Sequence, residues 1–175
     1  MTTKAEIPLD AAALRALQRP LKDRYKEDPS TALVTNSVTA TLAADSITAT
    51  LPTWAGEVRA GLHPATGGDG SDACSADLLL NALAACAGVT LRSVATALGV
   101  TFRKAEVTAT GTWDARGTLG VSKEAPVGLT AISLKFDVDT DADEPTVDRL
   151  IELTERYCVI AQTLATPPQV SFDRV

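Results

Sequence analysis

The sequence predicts an α+β protein with antiparallel sheets packed on long helices. Three observations carry that prediction. Apolar residues recur at helical spacing in three stretches, while others alternate short polar with β-branched residues, the period of strands. The resulting order is helix, three strands, helix, two strands, helix, strand, which departs from the strict alternation of a parallel α/β fold. The 175 residues, 45% hydrophobic and 22% charged, suffice for one folded core.

Leu9, Ala13, Leu14, Leu17 and Leu21 define the first helix, Leu9 to Tyr25, with Pro20 expected to break or kink it. Thr31 to Leu42 and Ser46 to Leu51 are rich in Thr, Val and Ile and predict strands, joined by Ala43, Ala44 and Asp45 into an antiparallel hairpin. Gly56 to Leu62 forms a third strand. The breakers Pro64, Gly67, Gly68, Asp69 and Gly70 follow, and Ser75 is the expected N-cap of a helix with Asp77 in its first turn. That helix ends at Leu98, before Gly99. It is apolar nearly all round, so burial on most sides is expected, and a small sheet alone cannot provide it; a partner subunit is implied.

Thr101 to Trp113 and Leu129 to Val138 alternate again and predict a second strand pair, separated by an excursion containing Gly117, Gly120, Pro126 and Gly128. A last helix begins at Pro145 or Thr146, with Val147, Leu150, Ile151, Thr154, Cys158 and Ala161 on one continuous stripe. Pro167 and Pro168 stop it. Val170 to Phe172 can return as an edge strand.

Charge excludes several partners. With 16 Lys+Arg against 22 Asp+Glu the net charge is -6, which leaves no basic footprint for nucleic acid or an anionic membrane. Leu78 to Leu91, the longest nearly uncharged run, is shorter than the roughly 20 residues of a bilayer span. Met1 to Asp10 carries Lys4, Glu6 and Asp10 and no apolar signal core, so a cytoplasmic location with reduced thiols is expected. Gly67-Gly68-Asp69-Gly70-Ser71 lacks both nucleotide-binding glycine patterns, and Asp137, Asp139, Asp141, Asp143 and Glu144 lack the spacing of a calcium loop, which favours a solvated turn. The aromatic residues, Trp54 and Trp113 among them, are too scattered for a base-stacking platform and are expected in the core or a pocket wall.

The remaining chemistry lies in Cys74, Cys86 and Cys158, with His63. Their spacing gives little support to zinc, and no bound metal or cofactor is expected. Cys86 shares a helix face with Leu79, Ala82, Leu83, Thr90 and Ser93, and Cys158 lies with Ile151 and Thr154. Two such thiols can meet in a core, or each can be a small hydrophobe in plain packing. Cys74 precedes the helix, where a dipole favours thiolate, but twelve residues at 1.5 Å rise put it roughly 18 Å from Cys86. His63 before Pro64 reads as a solvated loop histidine or a base.

Ser75-Ala-Asp-Leu-Leu-Leu-Asn-Ala-Leu-Ala-Ala-Cys86-Ala-Gly-Val-Thr-Leu91 resembles the central helix of the OsmC/Ohr family, and Leu153-Thr-Glu-Arg-Tyr-Cys158-Val-Ile-Ala-Gln-Thr-Leu164 resembles its second cysteine helix. The resemblance spans residues 31–175 as an OsmC-like domain and leaves 1–30 as an N-terminal helical extension. It implies an intertwined homodimer. It also implies a thiol-dependent peroxidase that reduces organic hydroperoxides and, by the same chemistry, hydrogen peroxide. Cys86 would be the peroxidatic thiol, Cys158 the resolving thiol, and an external dithiol the reductant. Family peroxidases support the thiolate with an early Arg and a first-turn Glu. Here the first turn reads Ser75, Ala76 and Asp77, and no Arg lies between Arg24 and Arg59, so Arg24, Arg59 and Asp77 are the candidate supports. Val159 stands where the second cysteine is often followed by Pro. The alternative reading keeps the fold but binds a small apolar ligand at the dimer interface without turnover.

Overall fold

The computed structural model describes residues 10–164. Leu9, Pro167, Pro168 and the strand expected at Val170 to Phe172 lie outside the described residues. The described chain is α+β and falls into two compact units, each assembled from separated stretches: 33–82 with 108–135, and 10–32 with 83–107 and 136–164.

The unit containing residues 33–82 holds a four-stranded sheet in the order β1 (Thr41–Leu42), β2 (Ala49–Thr53), β3 (Gly56–Gly61) and β4 (Ala73–Cys74). The β1–β2 pair is antiparallel, as the hairpin expectation had it, with Thr41 opposite Thr50. Two bounds need correction. The strand expected from Thr31 shrinks to two residues, because 33–40 finds no ladder partner among the described residues and stays exposed, Leu33 at 83% and Val34 at 73%. The strand expected from Ser46 starts at Ala49, since Ser46 and Thr48 bond each other's hydroxyls in the turn.

Trp54 is fully exposed at the β2–β3 turn, not in a core or a pocket wall. β4 adds a parallel pairing to an otherwise antiparallel sheet, Gly61 opposite Cys74, which alternation did not predict because two residues carry no period. The glycines of the loop before it are needed for the backbone. Gly67 sits at φ 96°, and a Cβ on Gly68 would lie 1.7 Å from the Leu62 carbonyl oxygen.

α1 (Ala11–Glu27) is capped by Asp10, whose carboxylate accepts from the Ala13 N–H at 2.7 Å. It runs through Pro20 without ending. Pro20 and Ala16 are both exposed, so water can satisfy the carbonyl that the missing N–H leaves open. No α1 residue is buried.

α2 (Ser75–Leu98) begins directly after β4, making Ser75 the first helical residue rather than the cap. Gly99 at φ 74° ends it, with the Val100 N–H donating to the Ala95 carbonyl. Contrary to burial on most sides, one stripe is buried, Leu83, Ala87, Leu91 and Ala95 with Thr96, while Val89 is 73% exposed. A single chain covers one side of this helix. By length and composition alone α2 is apolar enough to cross a membrane.

β5 (Lys104–Thr112) and β6 (Thr130–Asp139) form a second sheet, and a short helical turn, α3 (Ala115–Thr118), interrupts the excursion between them. β5 alternates in exposure along its length and β6 does so from Leu134 onward, after four exposed residues. In the unit that contains residues 83–107, Leu91, Ala95 and the fully buried Leu150 form a core onto which Phe102, Val107, Phe136 and Val138 pack.

The acidic tract is only partly a turn. Asp137 and Asp139 belong to β6 and bond Lys104 and Arg103, Asp141 also pairs with Arg103, and Asp143 caps α4 (Glu144–Tyr157) through the Thr146 N–H. The expected continuous last helix is broken. Cys158 takes extended angles, φ −73° and ψ 104°, and a new helix, α5 (Val159–Leu164), starts after it.

Candidate functional site

The break at Cys158 builds the site. In its extended conformation Cys158 closes α4 by donating its N–H to the Thr154 carbonyl, and its own carbonyl accepts from the Gln162 N–H of α5. It therefore occupies the N-cap of α5, and its sulfur accepts from the backbone N–H groups of Ala161 and Ile160. Cys86 reaches the same place from mid-α2. The groups that lower its pKa, acting on the sulfur as hydrogen-bond donors, are the Ile160 N–H, the Cys158 thiol, the Val159 N–H and the Thr90 hydroxyl.

The two thiols differ in access and acidity. Cys158 is fully buried, whereas Cys86 is half-buried and keeps solvent contact. Burial by itself raises the Cys86 pKa, but its four hydrogen-bond donors outweigh burial and hold the thiol below the ordinary thiol value. Burial raises the Cys158 pKa, and its hydrogen bond to Cys86 and the negative charge there raise it further. The pair thus joins an accessible thiol of lowered pKa to a buried thiol of raised pKa. Such a pair can supply a nucleophile and, after oxidation, a partner for a disulfide.

The other residues singled out in the sequence have different engagements. The Arg24 guanidinium stacks over the Tyr25 ring at 5.2 Å, and Arg59 pairs with Asp72 at 3.1 Å. Asp77 lies in the first turn of α2, and Cys74 pairs with Gly61 in β4. His63 caps a short turn, its Nδ1 accepting from the Ala65 N–H at 3.0 Å, and packs edge-on against Trp113 at 5.2 Å. Among the described residues no three His, Cys, Asp or Glu side chains gather to hold a metal ion.

Pattern reading missed the backbone donors of Val159 and Ile160. Helical periodicity continues through Cys158 and gives no sign that the chain opens there. One signal was present: a position often taken by Pro suits the first residue of a helix, and Val159 is that residue.

An α+β fold that sets a half-buried thiol of lowered pKa beside a buried thiol defines a dithiol protein. A model described as OsmC-like protein matches residues 68–173, more than half the chain, and the chain belongs to that family. Solved structures agree in fold. An OsmC-like protein from Mycoplasma pneumoniae is 23% identical with a TM-score of 0.62, over 75% of this chain and 88% of that one. An OsmC-like protein of unknown function from Vibrio cholerae is 14% identical with a TM-score of 0.60, over 75% and 94%. An organic hydroperoxide resistance protein OsmC from Legionella pneumophila is 12% identical with a TM-score of 0.54, over 75% and 91%. No curated protein matches the chain.

Proposed function

We propose that this protein is a thiol peroxidase that reduces organic hydroperoxides, with hydrogen peroxide as a smaller substrate of the same chemistry. The observation that carries the reading is the hydrogen bond between the accessible, acidified Cys86 and the buried Cys158. Family membership and the resistance role named for the Legionella relative support a part in the peroxide or stress response.

In this reading the Cys86 thiolate attacks one peroxide oxygen and the O–O bond breaks. The alkoxide leaves, takes a proton and becomes the alcohol, while Cys86 is left as a sulfenic acid. The Cys158 sulfur, already in contact, then attacks the Cys86 sulfur. Water departs and a disulfide forms. An external dithiol supplies the two electrons and two protons that restore both thiols. No bound cofactor takes part. The four donors around Cys86 do the work of a cation, since each prefers the charged sulfur to the neutral one.

The protein acts as a homodimer in this reading. Val89 on the open side of α2, the ladder-free residues 33–40 and an α1 without a buried residue leave apolar surface that a second copy would cover.

Stopped-flow oxidation with cumene hydroperoxide tests the function. Free thiol at Cys86 should disappear with release of cumyl alcohol; thiol that persists for minutes overturns the peroxidase. The alternative, an OsmC-fold binder of a small apolar ligand, is favoured by a cleft of ≈ 460 Å³ lined by Leu42, Ile47, Ala49 and Ala60. Saturable binding of an apolar probe with no thiol loss would select it.

A further inference from the structure

We propose that Gln162 is a positioning residue: its side-chain amide, donating to the Glu155 carbonyl at 3.0 Å, holds α5 against the end of α4 and so keeps the chain open at Cys158. The inference deepens the peroxidase reading and rests on it for its effect on turnover, though not for its geometry.

The break at Cys158 creates the need for such a bond. The last backbone bond of α4 runs from the Cys158 N–H to the Thr154 carbonyl, and the first of α5 from the Gln162 N–H to the Cys158 carbonyl, both at 3.0 Å. A continuous helix would bond the N–H groups of residues 159, 160 and 161 to the carbonyls of 155, 156 and 157. The extended Cys158 gives up those three bonds, so three N–H groups at the start of α5 and three carbonyls at the end of α4 need other partners. The N–H groups of Val159, Ile160 and Ala161 act on the cysteine sulfurs as donors. The Gln162 side chain takes the first of the three carbonyls, that of Glu155.

This bond belongs to the open form alone. In a continuous helix residues 155 and 162 stand roughly 10.5 Å apart along the axis, and the Glu155 carbonyl is already taken by the Val159 N–H. The apolar stripe of Val147, Leu150, Ile151, Thr154, Cys158 and Ala161 runs on through the break and favours the continuous form. α5 has six residues and none is buried, so packing does little to fix its angle. Gln162 fixes it with two bonds that flank the break, its backbone N–H to Cys158 and its side chain to Glu155.

The test is amide hydrogen exchange in the full-length reduced protein, resolved by residue with NMR, together with the pH profile of Cys86 alkylation by iodoacetamide. Gln162→Met keeps length and helix propensity and removes the donor, and because residue 162 is exposed the core is untouched. Exchange at the N–H groups of positions 162 and 163 should quicken about fivefold, the factor that a bond of roughly 1 kcal/mol makes, while the Thr154 N–H in α4 keeps its native rate. The alkylation midpoint of Cys86 should rise by about half a unit, which slows alkylation about threefold below it, because a loosened α5 no longer keeps its N–H groups on the sulfur. Gln162→Lys, which keeps a nitrogen donor on a side chain of similar reach, should restore native exchange. Native exchange at 162 and 163 in Gln162→Met, an unmoved Cys86 midpoint, or exchange in Gln162→Lys as fast as in Gln162→Met overturns the assignment. Peroxide turnover is measured separately: both shifts in a chain that consumes no peroxide refute the peroxidase and leave the role of Gln162 standing.

Discussion

Val159→Pro removes one atom group from the site and little else. Val159 is the first residue of α5, where a helix N–H has no partner within the helix, and proline is well accepted there. The preceding residue, Cys158, already has the extended angles that proline demands of its neighbour. The Val159 side chain is 67% exposed, so its replacement disturbs little packing. What disappears is an N–H donor to the Cys86 sulfur. A hydrogen bond to a charged acceptor contributes about 1.5 kcal/mol at the low end, which equals about one pKa unit.

The sign follows from the native shift. The native Cys86 pKa lies below the ordinary thiol value, so thiolate persists there and is lost only as pH falls through the lowered value. In Val159→Pro that loss should set in about one unit higher, with alkylation about tenfold slower below the native midpoint and unchanged well above both. Peptide-resolved alkylation measures the profile, and urea unfolding checks that stability moves by less than about 1 kcal/mol. A native profile in a folded Val159→Pro protein would refute the claim that uncharged donors hold the Cys86 thiolate.

Three further outcomes are expected. Cys158→Ser should leave the first oxidation intact but prevent the disulfide, so one equivalent of hydroperoxide yields a Cys86 sulfenic acid that dimedone traps; absence of the adduct despite peroxide loss would remove Cys158 from the resolving role. Leu150→Ala should cost about 2–5 kcal/mol in urea unfolding, because the side chain is fully buried in the Leu91–Ala95 core and its loss leaves a cavity. On the homodimer proposed above, Val89→Asp should shift the mass measured by light scattering from twice to once the 18.2 kDa chain, and a native protein that already runs at 18.2 kDa would overturn the homodimer.

The helix that carries Cys86 was legible in the sequence, the last helix was legible except for its break at Cys158, and so were the strands from Lys104 to Thr112 and from Thr130 to Asp139. Each has many residues in one period, and a long run of one period is hard to mistake. Residues 33–40 have the composition of a strand without being one, because a strand also needs a neighbour and none of the described residues pairs with them. The same limit hid β4, which pairs only because the loop before it returns to the edge of β3.

At the site, the sequence by itself determined which atoms are candidates for the chemistry: two thiols on apolar helix faces. Tertiary structure decided how those atoms behave. Whether Cys86 is acidic depends on N–H groups more than seventy residues away in the chain, and they become available only because the helix opens at Cys158. Hydrogen-bond geometry varies over tenths of an ångström, while periodicity records only which side of a helix faces inward, so folding alone could turn a pair of buried-looking cysteines into an unequal pair of thiols.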